Sequence, residues 1–174
     1  MGDADVSDED LMLRYAAGEV AAFEQLYERH ELRLWRFVLR SSPSRAQAEE
    51  LLQEVWFAVA REAPRYQPRA RFTTWLFTMA RNRLIDGARV RRAEVSLDAE
   101  DGAGHTLHEQ LPARTADGPE QGAAADGQSR AILAAVGALP PQQREAFLLQ
   151  VEGGLSVAEI AAATGCSFET AKSR

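Results

Sequence analysis

The stretch from Val95 to Gln128 constrains this chain more than any other. Its large apolar residues are Val95, Leu97, Leu107 and Leu111, set among glycines and prolines, with seven acids and one arginine. Such a segment cannot bury enough surface to offset the entropy lost on ordering, so it reads as a flexible acidic linker over 94–128. What folds must fold on either side of it, within 7–93 and 129–174 of a 174-residue chain. Each piece is short enough to need its own small core.

Both pieces read as helical. Ser7 precedes "DEDLMLRY", a capping residue followed by first-turn acids. After Gly18, the residues Phe23, Leu26, Tyr27, Leu34 and Val38 recur at helical spacing, predicting an amphipathic helix of about five turns. Pro43 interrupts it. Ser44 and Gln47 have the spacing of a capping box, and Ala48, Leu51, Leu52, Val55 and Val59 line one face of the next helix, which Pro64 closes. A loop containing Pro68 leads to a helix from about Thr73, with Phe72, Trp75, Leu76 and Met79 inward. Beyond the linker, Ile132, Leu133 and Val136 mark a short helix. Pro141 opens another, continued by Ala146, Phe147, Leu149 and Gln150. No strand pattern occurs, so the fold class is all-α: two small helical domains on a tether.

The C-terminal end has a recognisable shape. Ser156 and Glu159 match a second capping box, Gly165 can take the left-handed conformation that ends a helix, and Ser167 can cap the next one. Ala161 supplies the small side chain that two crossing helices need, and Ile160, Cys166 and Ala171 fall inward. This is helix-turn-helix spacing, with the second helix free to enter a major groove. Its outward residues are Glu169, Thr170, Lys172, Ser173 and Arg174, all able to meet phosphates or base edges. Further basic turns are expected past Arg174, so the recognition helix reads as shortened. A plain helical hairpin would share this spacing.

Charge is unevenly spread. Net charge is −6, yet eight arginines and one acid, Asp86, lie between Pro64 and Ala93. That segment carries +7 and the rest of the chain −13, which points to an anionic partner for one face alone. Membrane insertion is not expected, since no apolar run approaches about 18 residues. Cys166 is the single cysteine, so no internal disulfide can form and a cytoplasmic location fits. His105 and His108 sit in the linker without a third ligand of suitable spacing, so neither a metal site nor a cofactor is expected. No nucleophile–base constellation or phosphate-binding glycine loop is present, which argues against an enzyme.

The phrases "AEELLQEVW" and "FTTWLFTMARNRLID" resemble region two of bacterial RNA polymerase sigma factors of the extracytoplasmic-function (ECF) group, and "LSVAEIAAATGCSFETAKSR" resembles their region four. The resemblance covers the chain apart from the linker, and its phrases are specific in combination. It implies a sigma factor that binds core RNA polymerase and directs promoter recognition, −10 melting and transcription initiation. Glu50, Gln53 and Glu54 would dock on the β′ coiled coil. Their i, i+3, i+4 spacing puts them on one polar face. Around the −10 element the resemblance implicates Tyr66, Arg69, Arg71, Arg81, Asn82, Asp86, Arg89 and Arg92, with the loop from Tyr66 to Arg71 as the wall of a base pocket. Aromatics and arginines suit captured bases and single-stranded backbone. Phe72 and Trp75 share a face with Met79 and read as core first. Glu169, Thr170, Lys172, Ser173 and Arg174 would lie near −35, with region four also meeting the β flap. An anti-sigma factor is a further implied partner, and the acidic linker would thread the polymerase cleft. The competing reading is a helix-turn-helix regulator that never binds polymerase. It leaves the polar face of "AEELLQEVW" without a purpose.

Overall fold

The computed structural model describes residues 6–98, 131 and 134–174, and the described residues contain helices and no strands. Four α-helices precede the linker: α1 (Asp8–Ala16), α2 (Val20–Ser41), α3 (Arg45–Glu62) and α4 (Phe72–Asp98), with a 3-10 turn at Ala63–Arg65. After it come α5 (Pro141–Val151), α6 (Val157–Thr164) and α7 (Phe168–Ser173), with a helical stretch at 134–138 ahead of α5. Residues 99–128 of the linker expected over 94–128, including His105 and His108, and the expected helix residues Ile132 and Leu133 lie outside the described residues. No helix among the described residues is long and apolar enough to cross a membrane.

The helix boundaries follow local chemistry. Ser7 caps α1 by accepting from the Asp10 amide at 3.1 Å, and Gly18 takes φ 101°, a turn conformation that glycine adopts without steric cost. Ser44 caps α3 through the Gln47 amide at 3.3 Å. The expected box is only half made, because the buried Gln47 Oε1 does not bond back to Ser44. The α4 helix begins at Phe72, and its first amide is capped from elsewhere: Glu9 Oε1 in α1 accepts from Phe72 N at 2.5 Å. It runs to Asp98, past Ala93.

Helices α1 to α4 pack into one bundle. Leu11 and Met12 of α1, Leu26, Leu34, Phe37 and Val38 of α2, Val55 and Val59 of α3, and Phe72, Leu76 and Phe77 of α4 are essentially inaccessible. Each such side chain contributes about 1.5–3 kcal/mol relative to exposure. Tyr27, expected inward, lies at the rim and leans on Trp56, ring centroids 4.9 Å apart. A second aromatic cluster sits where α4 starts, with Tyr66 5.1 Å and Phe72 5.8 Å from Trp75 and His30 5.4 Å from Phe72.

The C-terminal unit is smaller and leans on the bundle. Ala146, Leu148, Leu149, Leu155, Ile160, Ala161 and Ala171 are buried, while Phe147, which continues α5 as expected, is 37% exposed. Ser156 and Glu159 complete the full capping box, and Gly165 closes α6 at φ 67°. Ser167 caps α7 through the Thr170 amide at 3.2 Å. The α5–α6 turn approaches α4 at Gly153. A Cβ there would stand 2.6 Å from the Leu149 carbonyl oxygen and 3.1 Å from Phe77 Cγ, so only a hydrogen fits.

Candidate nucleic-acid and protein interfaces

The α3 helix exposes Glu50, Gln53 and Glu54 together, opposite the buried Val55 and Val59. One residue joins them that the sequence reading passed over. Phe57, four residues after Gln53 and seven after Glu50, is 73% exposed, an unusual setting for a large aromatic. Its i+4 and i+7 spacing from the polar residues was the available signal. Glu54 Oε2 lies 3.7 Å from Arg83 Nη1, a loose link between the α3 and α4 faces.

Helix α4 carries the cationic face. Asn82, Asp86 and Arg89 recur along one side and are exposed, as is Arg92. Arg89 Nη1 stands 3.9 Å from Asp86 Oδ1 with both side chains mostly in solvent, a pairing worth little. Arg69 is exposed in the preceding loop, where its amide donates to the Gln67 carbonyl at 2.8 Å. Between α3 and α4 runs an open groove of about 310 Å³, lined by Arg61 and Glu62 on one wall and Trp75, Met79, Asn82 and Arg83 on the other.

Tyr66 does not line that groove. It is 9% exposed, with its ring edge-on to Phe72 and Trp75. Burial, with Glu9 and Asp8 nearby, pushes its phenol up to about 12, so it stays neutral. The loop wall expected to present Tyr66 instead holds it in the bundle, because α1 covers it. Trp75, read as core, is only partly buried and faces the groove.

Two other cations of the −10 set, Arg71 and Arg81, point toward the C-terminal unit. Arg81 Nε donates to Glu145 Oε1 at 2.7 Å, and Arg71 Nη1 donates to the Gly154 carbonyl at 3.2 Å. Neither pairing was visible in sequence, since the partners lie 64 and 83 residues away.

On α7, Glu169, Thr170, Lys172 and Ser173 are exposed and Arg174 partly so, around the inward Ala171. The Thr170 and Ser173 hydroxyls bond locally, at 2.8 Å to Ser167 Oγ and 3.0 Å to the Thr170 carbonyl. Glu169 and Lys172 keep charged ends in solvent. Among the described residues no group of histidine, cysteine and carboxylate side chains is arranged to hold a metal.

Two charged faces on one helical bundle and a helix-turn-helix beside it have counterparts among known proteins. Residues 26–94 match the sigma-70 region 2 family and residues 129–174 the sigma-70 region 4 family. RNA polymerase sigma factor CarQ of Myxococcus xanthus is 34% identical over 168 residues, covering 94% of this chain and 88% of that protein. ECF RNA polymerase sigma factor SigK of Mycobacterium tuberculosis is 30% identical over 170 residues, covering 97% and 88%. Among solved structures, the sigma factor RpoE of Bartonella quintana, crystallised with the anti-sigma factor NepR, aligns with a TM-score of 0.67 at 27% identity, over 87% of this chain and 88% of that one. CnrH, in complex with the cytosolic domain of CnrY, shares the fold at a TM-score of 0.64 and 22% identity, over 95% and 88%. The chain belongs to the ECF sigma factors of the sigma-70 type, and its function is that of a polymerase-binding sigma factor in transcription initiation. Sigma factors are non-catalytic initiation factors.

Proposed function

We propose that this sigma factor divides its work between the two faces of its helical bundle. Glu50, Gln53 and Glu54 bind core polymerase, with Phe57 as an apolar anchor beside them. Carboxylates and an amide on a rigid helix suit arginines on a partner helix, and exposed aromatics are frequent interface anchors. Asn82, Asp86, Arg89 and Arg92, with Arg69, Arg71 and Arg81, meet the −10 region and hold opened strands, while α7 lies toward −35. The observation that carries the reading is the separation on the bundle: an acidic and amide face on α3, a cationic face on α4, and an open groove between them. Region two would extend over 7–93 and region four over 129–174. Chemistry stays with the polymerase, and the chain itself is not an enzyme. It works in the cytoplasm, and an anti-sigma factor is a natural partner, since RpoE of Bartonella quintana was crystallised with one.

Binding of the chain to purified core polymerase tests this directly. A Gln53→Ala/Glu54→Ala variant should bind at least tenfold more weakly, in line with losing interface hot spots. Equal binding would remove α3 from the interface. A failure of the unaltered chain to bind would favour the regulator reading.

A further inference from the structure

The outward residues of α7 read from the sequence leave out Phe168, yet its side chain is 50% exposed. The backbone around it is closely held. Gly165 takes the left-handed conformation, and the Cys166 amide donates to the Ala161 carbonyl at 3.1 Å. Ser167 Oγ accepts from the Thr170 amide at 3.2 Å, and the Ala171 amide donates to the Ser167 carbonyl at 2.9 Å. These bonds turn Ala171 inward, where it is buried. At helical spacing Phe168 stands about 60° from Ala171 and about 40° from Lys172. Its ring therefore emerges at the edge of the inward face, beside the exposed Lys172. A large aromatic half in water at a fixed position calls for a partner.

The neighbours of Phe168 narrow what that partner is. Glu169, the next residue, is exposed and has no ion-pair partner among the described residues. Neither side chain can bind a phosphate, since one lacks a donor and the other is an anion. The cations Lys172 and Arg174 come later along the helix. Phe168 and Glu169 thus suit base edges, and Lys172 suits the sugar–phosphate backbone. On the major-groove edge of a base pair, the apolar group is the C5 methyl of thymine.

We propose that Phe168 is a specificity-determining residue of the −35 contact, its ring resting on the C5 methyl of one thymine while Lys172 meets a phosphate beside it. The proposal rests on the reading of α7 as the −35 helix. Cytosine in place of that thymine would set its N4 amine against a ring that accepts poorly, leaving a donor unpaired. Uracil keeps every hydrogen-bonding group of thymine and lacks only the methyl, so it isolates the contact.

The test uses the full chain assembled with purified core polymerase. Duplexes of about 40 randomised base pairs are selected for binding, and the selected sequence is remade with deoxyuridine replacing each thymine in turn. At one thymine, uracil should weaken binding about fourfold, the worth of one buried methyl group. Phe168→Ala should bind the thymine and uracil duplexes alike, no more tightly than the unaltered chain binds uracil. Phe168→Leu, apolar but smaller, should restore part of the preference. At the other thymines all three chains should respond equally. Glu169→Ala/Ser173→Ala examines the underlying reading and should lose base preference in one block of the selected sequence. If that block is lost but uracil is tolerated throughout it, or Phe168→Ala still discriminates against uracil, Phe168 reads no methyl while α7 remains the −35 helix. If neither the Glu169/Ser173 variant nor Phe168→Ala alters the selected sequence, α7 does not read DNA and both readings fall.

Discussion

The bundle of α1–α4 and the C-terminal unit of α5–α7 solve the same problem with different means. The bundle has helices of up to 27 residues, a shared aromatic core and caps supplied across the fold, as when Glu9 holds the start of α4. The C-terminal unit has helices of 11, 8 and 6 residues. Helices that short are marginal alone, and this unit depends on its local caps and on packing against Phe77. The difference teaches that the bundle carries its binding faces on a scaffold that stands by itself. The C-terminal unit owes its position to one small junction.

That contrast can be broken most sharply at Gly153. Gly153→Val should cost about 1–3 kcal/mol at the junction, the typical range for overpacking. Chemical denaturation should then show the C-terminal unit melting before a bundle whose midpoint barely moves. Coincident loss of both units would show the bundle to be dependent after all. Next in size is Glu152→Ala, which leaves Arg40 without its carboxylate. Arg40 is 31% exposed, so water can reclaim part of it, and about 1–2 kcal/mol is expected rather than the full cost of a buried broken pair. Urea unfolding would measure it.

On the bundle side, Glu9→Ala removes the cap from the Phe72 amide and should cost about 1 kcal/mol. Hydrogen exchange should accelerate at the first turn of α4 and leave α5–α7 unchanged. The smallest effect concerns pH. Burial pushes the Asp8 carboxyl up, but hydrogen bonds from His30, 2.7 Å away, and Arg29 outweigh it and hold it below its ordinary value. The stability this contributes is present above the ordinary carboxylate value and is lost as pH falls through the depressed one. Asp8→Asn should flatten that part of a stability–pH curve recorded on the acid side.

The sequence made the local rules visible and the distant ones invisible. Ser7, Ser156, Ser167 and Gly165 mark helix ends with residues whose partners lie within a few positions, and all four act there as expected. The exposed set on α3 and the outward residues of α7 follow from helical periodicity alone. Glu9 on Phe72, and Glu145 and Glu159 on α4, join residues more than 60 positions apart, which no periodicity encodes. Tyr66 shows the same limit. An aromatic in an arginine-rich loop looks available for stacking on a base, yet α1 covers it. Phe147 and Phe57 sit outside the inner stripe of their helices because the neighbouring Leu148 and Ala58 take the inward positions.

The claim at the centre of this account is that α3 and α4 present two separable faces. Its most direct test is one experiment with three chains: the unaltered protein, Gln53→Ala/Glu54→Ala, and Asn82→Ala/Arg89→Ala. Each is measured for core polymerase binding and, in the same samples, for binding of single-stranded DNA. The account predicts a crossed result, in which the α3 variant loses polymerase but keeps DNA and the α4 variant keeps polymerase but loses DNA. Parallel loss of both activities in both variants, with folding intact, would contradict it.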